Sequence, residues 1–309
     1  MTANTYLNKA KYTSENTDEW YTTYELIEEE LSHYTEQFRG KSVLCNCDEP
    51  VKSNFSLYFI NNFSRLQLKK LICTSYDFNG KGKVLYIDKS VENASNYVKE
   101  LNGSGDFRSD ECINYLKECD IVCTNPPFSL FRYMFSLINK YNKQYLLIGN
   151  MNALSYKEIF KYIKENKAWV GYRFGDMSFR VPDNTEPRAT RFWIDETGQK
   201  WRSLGNAMWL TNIPVSKNSE KIKLIKSYNS EEHPKYDSFD AINVKTIKDI
   251  PYDYFGIMGV PITYIKYHNP EQFEIIGEAN HGSDNEFDLF KPKINGKEVF
   301  KRILIKRKV

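Results

Sequence analysis

From about residue 20 to about residue 170, short apolar runs alternate with amphipathic stretches, and few folds accept that order. The apolar runs are SVLCNC from Ser42, KKLICTSY from Lys69, KVLYID from Lys83, DIVCT from Asp120 and QYLLIGN from Gln144. Each is short, rich in aliphatics and closed by turn residues, which marks a buried strand. Helical stretches lie among them: NFSLYFINNFSRLQ from Asn54, SDECINYLKEC from Ser109, LFRYMFSLINKYN from Leu130 and YKEIFKYIKENK from Tyr156. Ser109 is placed to cap the second of these. An earlier helix opens in DEWYTTYELIEEELSHYTEQF, where Thr22 or Thr23 can cap and Leu26, Ile27, Leu31 and Tyr34 fall at helical spacing. FNGKG reads as a hairpin turn into KVLYID. The pattern as a whole predicts an α/β domain built on a parallel, doubly wound sheet with helices on both faces.

In such a sheet the ligand lies beyond the C-terminal strand ends. The residues expected there are Asp48-Glu49, Tyr76-Asp77, Asp106-Phe107, Asn125 to Phe128, and Gly149-Asn150. Asn125-Pro126-Pro127-Phe128 is the most informative of these. Proline cannot continue a central strand, so the chain must turn there. The Asn125 amide oxygen and the Pro126 carbonyl are two acceptors that a rigid backbone can aim at one exocyclic amino group. Phe128 offers a face for a planar base, and such stacking contributes about 1–3 kcal/mol per base. A purine amino group is a weak nucleophile because its lone pair is shared with the ring. Two acceptors on its hydrogens favour a pyramidal nitrogen, so positioning rather than a strong base carries the reaction. A base in a duplex reaches such a pocket only by flipping out.

Past residue 170 the pattern changes. RFWIDETGQKWRSLGNAMWLTNI reads as two strands about a Thr-Gly turn, and the region after it is rich in Pro, Gly and Tyr without a clear period. KRILIKRK near the C-terminus fits a terminal edge strand with Ile303 and Ile305 turned inward, and it also fits a phosphate-tracking segment. Trp193, Trp201 and Trp209 can pack the sheet edge or cover a flipped base. Arg173, Arg180, Arg188 and Arg191 are candidate DNA contacts, and His233 and His268 fall in loops. Residues 1–60 carry 10 acidic and 5 basic side chains against 40 and 43 in the whole chain, so the mild net charge of +3 hides a basic remainder of +8. A basic body tolerates a polyanion without requiring one. The six cysteines lie mostly in apolar runs, none in CxxC spacing, and read as buried hydrophobes in a reducing cytosol rather than as a metal site. No apolar run is long enough for a membrane span, and residues 1–20 do not form a signal peptide.

The Asn-Pro-Pro-Phe motif is that of N6-adenine methyltransferases, and the resemblance extends over most of the chain. DEWYTTYELIEEEL, CNCDEPVKSNF, LKKLICTSY, NGKGKV, GDFRSDECI, CTNPPFSLFR, LLIGNMNALSYKEIF, PYDYFGIMGVPITY and EQFEIIG, in that order, resemble the EcoRI-type family of adenine-specific DNA methyltransferases. The resemblance implies a Rossmann-like sheet that uses S-adenosylmethionine as methyl donor and no metal, with an appended C-terminal DNA-recognition region. The motif order is similar to the gamma arrangement. Tyr21 and Thr22 would then border the donor's methionine end, and Asp48, Glu49 and Pro50 would form the first cofactor motif. Asp106 and Phe107 would meet its adenine. That first motif is glycine-rich in many methyltransferases, but CNCDEPVKSNF has no glycine, which leaves open which of Asp48 and Glu49 faces the donor. Asp77 and Asp88 both qualify for the ribose hydroxyls and both fit plain turn residues.

The expected organisation is a flexible N-terminus over 1–17, a catalytic core over 18–212 and a target-recognition region over 213–309. The expected reaction is methyl transfer to a flipped adenine in double-stranded DNA, with N6-methyladenine and S-adenosylhomocysteine as products. The setting would be the cytoplasm of a bacterium, or a phage, with the protein acting as a monomer. It would be the modification arm of a restriction–modification system, whose endonuclease shares the site without being bound, or an orphan methylase. Two other readings stay open: methylation of an RNA base or protein amide, and a catalytically silent DNA-binding or donor-sensing protein.

Overall fold

A computed structural model describes residues 21–89, 98–279 and 292–308. The chain folds as two units. One holds the described residues up to Ala153 together with Gly171–Ile213, and the other holds Leu154–Val170 and the described residues from Pro214 onward.

The first unit is built on a ten-stranded sheet. Its strands are β1 (Tyr21–Thr22), β2 (Ser42–Asn46), β3 (Lys70–Thr74), β4 (Lys83–Asp88), β5 (Val98–Glu100), β6 (Ile121–Thr124), β7 (Gln144–Asn150), β8 (Trp169–Arg180), β9 (Phe192–Ile194) and β10 (Lys200–Thr211). The order across the sheet is β1-β8-β10-β7-β6-β2-β3-β4-β5, with β9 paired to β10. β3, β2, β6 and β7 are mutually parallel, while β4 and β5 continue the sheet antiparallel beyond β3. The sheet is therefore mixed, which corrects the expectation of a parallel one. The reason is loop length: a parallel crossover needs a dozen or more residues, and the short FNGKG turn can only return β4 antiparallel to β3. On the other flank β10 runs antiparallel to β7, and β1 antiparallel to β8.

Helices α1 (Tyr24–Leu31), α2 (Asn54–Asn62), α3 (Asp110–Glu118) and α4 (Phe131–Lys140) accompany the sheet. Thr23, Ser53 and Ser109 cap the first three by accepting from Leu26 N, Ser56 N and Cys112 N. Side-chain parity shows that both faces are covered. Trp209 lies opposite Ile148 and its ring meets Phe55 of α2 at 5.8 Å. Tyr145 and Gly149 have the other parity on β7 and meet Phe135 and Phe131 of α4. Gly149 is required there, because a Cβ would stand 2.5 Å from the Phe131 ring. All six cysteines are free thiols, five of them buried and Cys47 half-buried.

The flank carrying β1 and β8 is locked by a buried carboxylate. Glu30 of α1 accepts from Tyr34 Oη at 3.0 Å, Tyr172 N at 2.8 Å and Arg173 N at 2.6 Å. Burial and the Glu30 charge push the Tyr34 hydroxyl pKa well up. Replacing Glu30 with Leu strips that acceptor from three donors, and each buried donor so stripped costs about 1–3 kcal/mol. A loss of roughly 3 kcal/mol or more is expected in urea unfolding, with Glu30→Gln losing less because it keeps an acceptor oxygen.

The second unit has a four-stranded sheet in the order β11 (Ala241–Asn243), β12 (Ile257–Pro261), β16 (Arg302–Arg307), β13 (Phe273–Ala279), and a small hairpin of β14 (Lys293–Ile294) and β15 (Lys297–Glu298). Helix α5 (Lys157–Lys164) packs on β13. The C-terminal strand is thus not an edge strand. It pairs on both sides, with β12 and with β13, and Ile303, Leu304 and Ile305 are all buried. His233 and His268 are buried pegs. His268 is held by Tyr264 Oη at 3.1 Å and Asn166 Oδ1 at 2.9 Å, and burial lowers its pKa to about 4. Among the described residues no helix is long and apolar enough to cross a membrane.

Candidate active site

The chain leaves β2 to build α2 and β3 on one side, then returns to place β6 on the other side of β2. That reversal opens a crevice at the strand ends. A cleft of about 630 Å³ lies there, within the range of small-molecule sites. It is lined by residues following β2 (Cys47 to Glu49), β3 (Ser75, Tyr76) and β6 (Asn125 to Phe128), with Tyr21 and Thr22 of β1. Lys52 to Phe55 at the start of α2 and Arg180 to Asp183 with Gln199 complete the wall.

Of the residues singled out by sequence, Tyr21, Thr22, Asp48, Glu49, Asn125, Pro126, Pro127 and Phe128 all line this one cleft. Pro50, Asp106 and Phe107 do not. Pro50 is buried behind the loop. Asp106 and Phe107 are not at a strand end, since β5 stops at Glu100; they sit in the turn before α3. There Arg108 grips the Asp106 carboxylate, with Nη2 at 2.5 Å and Nε at 2.9 Å. Burial raises the Asp106 pKa, but the Arg108 hydrogen bonds outweigh it and hold the group below its ordinary value. Phe107 is buried against the Tyr133 ring at 6.1 Å. Asp106 stays close enough for its charge to act on Cys47 and Tyr76, two residues that line the cleft.

The loop after β2 makes its turn without glycine. Cys47 takes φ +73° and Val51 φ +57°, the left-handed region that glycine enters freely and other residues enter at a cost. The turn presents Asp48 inward. Asp48 Oδ2 lies 2.7 Å from Thr124 Oγ1, whose single hydroxyl hydrogen is shared between that carboxylate and the Asn46 carbonyl. Burial dominates the Asp48 environment and raises its pKa to about 7, against hydrogen bonds from Thr124 and Ser53 that lower it. Glu49 is more open and meets Lys83 Nζ at 3.3 Å and Lys52 Nζ at 3.6 Å.

Two sequence candidates for a ribose contact are placed elsewhere. Antiparallel pairing carries Asp88 to the opposite rim, across from Lys70 at the start of β3, with an ion pair at 3.7 Å. Asp77 holds its own turn by accepting from Asn79 N at 2.9 Å. Ser75 and Tyr76 line the cleft in their stead.

At the β6 end, Asn125 Nδ2 donates to Thr22 Oγ1 at 3.2 Å, and Asn54 Nδ2 donates to the Thr22 carbonyl at 2.8 Å. Asn54 carried no signal in the sequence beyond being a polar residue at a helix start. The tryptophans divide. Trp209 is core, whereas Trp193 and Trp201 stack cross-strand at 6.1 Å, with the Arg180 guanidinium 5.4 Å from Trp201. Arg173 and Arg191 are engaged by Glu29 and Asp176. Among the described residues no group of three or more His, Cys, Asp or Glu could hold a metal ion.

A family profile described as adenine-specific methyltransferase EcoRI matches residues 6–308. The Type II methyltransferase M.EcoRI of Escherichia coli is 46% identical over 323 residues, covering 99% of this chain and 97% of that protein. M.MgeORF184P of Mycoplasma genitalium is 36% identical, covering 98% of each chain, and M.MpnI of Mycoplasma pneumoniae is 39% identical, covering 88% of this chain and 85% of that one. No solved structure matches.

Proposed function

The chain belongs to the EcoRI family of adenine-specific methyltransferases, and from that membership and the cleft we propose that it methylates N6 of a flipped adenine in a short duplex DNA site. The observation that carries the reading is the convergence of Asn125-Pro126-Pro127-Phe128 with Asp48 and Thr22 on one cleft at the sheet's point of reversal. S-adenosylmethionine would supply an electrophilic methyl group and take the cleft between β2 and β3. The fit rests on the donor's chemistry. Asp48 offers a buried carboxylate for its ammonium, Tyr76 and Tyr21 offer apolar faces, and Glu49 and Ser75 are polar partners for hydroxyls.

The protein's own part is positional. The Asn125 side-chain oxygen and the Pro126 carbonyl accept the two amino hydrogens, and Phe128 stacks on the base. As the methyl group bonds to nitrogen, the amino group becomes cationic and both acceptors hold it more strongly than in the ground state. The surplus proton leaves to solvent. The second unit, with the 213–309 region as its main part, would read the DNA sequence. The protein would act as a monomer in a bacterial cytoplasm or from a phage, with or without a restriction endonuclease. Incubation with labelled S-adenosylmethionine and unmethylated duplex DNA, followed by nucleoside analysis, tests the reaction. N6-methyldeoxyadenosine is expected, and label transferred only to RNA or protein would overturn the DNA assignment.

Asp48 gives a pH dependence with a definite sign. Its pKa is about 7 in the fold against 3.8 for an ordinary Asp, so the folded state holds a proton that the unfolded state releases. This contribution to stability is full below about pH 4 and is lost as pH rises to about 7. Asp48→Asn should therefore stabilise the ligand-free protein more at pH 8 than at pH 5, by up to a few kcal/mol in urea unfolding. Donor binding should go the other way. It needs the ionised carboxylate, so affinity in wild type should fall below pH 7 by up to about tenfold per unit, and that slope should vanish in Asp48→Asn.

A further inference from the structure

The hairpin of β9 and β10 carries an aromatic stack beside the cleft. Trp201 and Trp193 are cross-strand partners, and their rings lie nearly parallel, 4° apart in plane, with centroids 6.1 Å apart. The Arg180 guanidinium sits over the Trp201 ring, 5.4 Å from its centroid, and Arg180 itself lines the cleft. The three side chains thus form one array that starts at the cleft wall. The array is held in place. Asp195 Oδ2 accepts from Trp201 Nε1 at 2.7 Å, and hydrogen bonds from Thr197 and Trp201 hold the Asp195 pKa to about 2, so this anchor stays charged at working pH. Gln199, another residue of the cleft wall, donates to the Val181 carbonyl at 3.2 Å and ties the hairpin to the chain after β8.

Packing does not account for the outer member. Trp209 is fully buried in the core, whereas Trp193 is backed by Trp201 and still 40% exposed. A flat ring with a cation in its stack suits a planar ligand that carries negative charge. Arg180 is exposed, and a guanidinium stacked by its face keeps its N–H edge for an oxyanion. A nucleobase on a sugar–phosphate chain meets both requirements, while an apolar protein segment would bring no anion to Arg180. The cleft supplies the reason for such a base to be near. An adenine drawn out of a duplex leaves its neighbours and its former partner without a stacking face.

We infer that the Arg180–Trp201–Trp193 array is a platform for the DNA strand: a base that loses its stacking partner when the adenine flips lies on Trp193, and Arg180 meets a phosphate of that strand. This deepens the proposed function and rests on it. Every base has a face to stack, so the platform adds affinity for the opened duplex rather than choice of sequence.

The test uses a single-stranded oligothymidylate of about 16 nucleotides. It offers unstacked bases and phosphates and holds no adenine, so binding is measured apart from methyl transfer. Trp193→Ala should weaken binding about 10- to 100-fold, and Trp193→Phe, which keeps a ring, should retain most of it. Arg180→Gln should flatten the slope of log affinity against log salt by about 0.7, the share of one phosphate on a single strand. An unchanged slope would overturn the phosphate role of Arg180. A second readout is fluorine NMR of protein carrying fluorotryptophan in place of its five tryptophans. The resonance missing from Trp193→Phe belongs to Trp193, and it should move when the oligonucleotide is added. Unchanged affinity in Trp193→Ala, or an unmoved Trp193 resonance, would overturn the inference. So would a wild-type dimer that Trp193→Ala converts to a monomer with DNA binding intact, since the stack would then be a subunit contact. A wild-type protein that binds this probe through Trp193 but fails to methylate DNA would count against the proposed function alone.

Discussion

Asn125→Ala is expected to abolish methyl transfer while leaving donor binding and the fold intact. The expected loss in rate is at least about 100- to 1000-fold, by analogy with removal of one preorganised hydrogen-bond partner from a developing charge. The prediction follows from position. Asn125 follows β6 on the cleft wall, and its Nδ2 donates to Thr22 Oγ1. Removing the side chain takes away the acceptor proposed for the target amino group. Rapid-quench measurement with saturating donor separates this from a binding defect. A variant that keeps more than about a tenth of the wild-type rate would mean that the Pro126 carbonyl suffices, and that the amide is not the main acceptor.

Gly105→Ala is expected to be the most damaging single methyl group in the first unit. Three backbone segments meet behind the Ser75-Tyr76 wall of the cleft. Ser75 N donates to Lys83 O at 2.9 Å, Asp77 N to Ser104 O at 2.8 Å, and Gly82 N to Gly103 O at 2.9 Å. A Cβ on Gly105 would stand 2.0 Å from the Ser75 carbonyl oxygen, and its φ is +80°. Backbone cannot give way as a flexible side chain can, so the β3 end must shift. A loss of about 3 kcal/mol or more is expected in urea unfolding, with donor affinity reduced at least about tenfold. Gly40→Ala is the control. It shares a positive φ, +69°, but has nothing within 4 Å, so it should cost only about 1 kcal/mol and leave affinity alone. Equal losses at the two positions would show that conformation, not the close approach at Ser75, sets the cost.

Much of the first unit was legible in the sequence because its signals are local. The strands at Ser42–Asn46, Ile121–Thr124 and Gln144–Asn150 and the cap at Ser109 follow from apolar runs and capping residues that need no knowledge of the rest of the chain, and of the two candidates for the first cap, Thr22 and Thr23, the structure uses Thr23. The FNGKG turn likewise indicates a hairpin, and that hairpin is what makes the sheet mixed. What the sequence did not disclose depends on pairing across distance. Asp88 ends its strand as a cleft residue would, but antiparallel pairing places that end on the opposite rim of the sheet, across from Lys70. KRILIKRK reads as an edge because it is terminal and basic, yet it is paired on both sides. Asp106 is a separate case: the resemblance assigns it to the donor's adenine, and the Arg108 guanidinium two residues on holds its carboxylate. The missing glycines after β2 were visible as a departure. The structure explains how the turn is made regardless, with Cys47 and Val51 in the left-handed region. Residues 1–20, 90–97, 280–291 and 309 lie outside the described residues, and with them the expectation of a flexible N-terminus over 1–17.

The most direct test of the account is modified-base sequencing of methyl-free genomic DNA after incubation with purified protein and S-adenosylmethionine, beside Asn125→Ala. The account predicts N6-methyladenine at every copy of one short motif with wild type and at none with the variant. Unmodified DNA from a wild-type protein that binds the donor would contradict it.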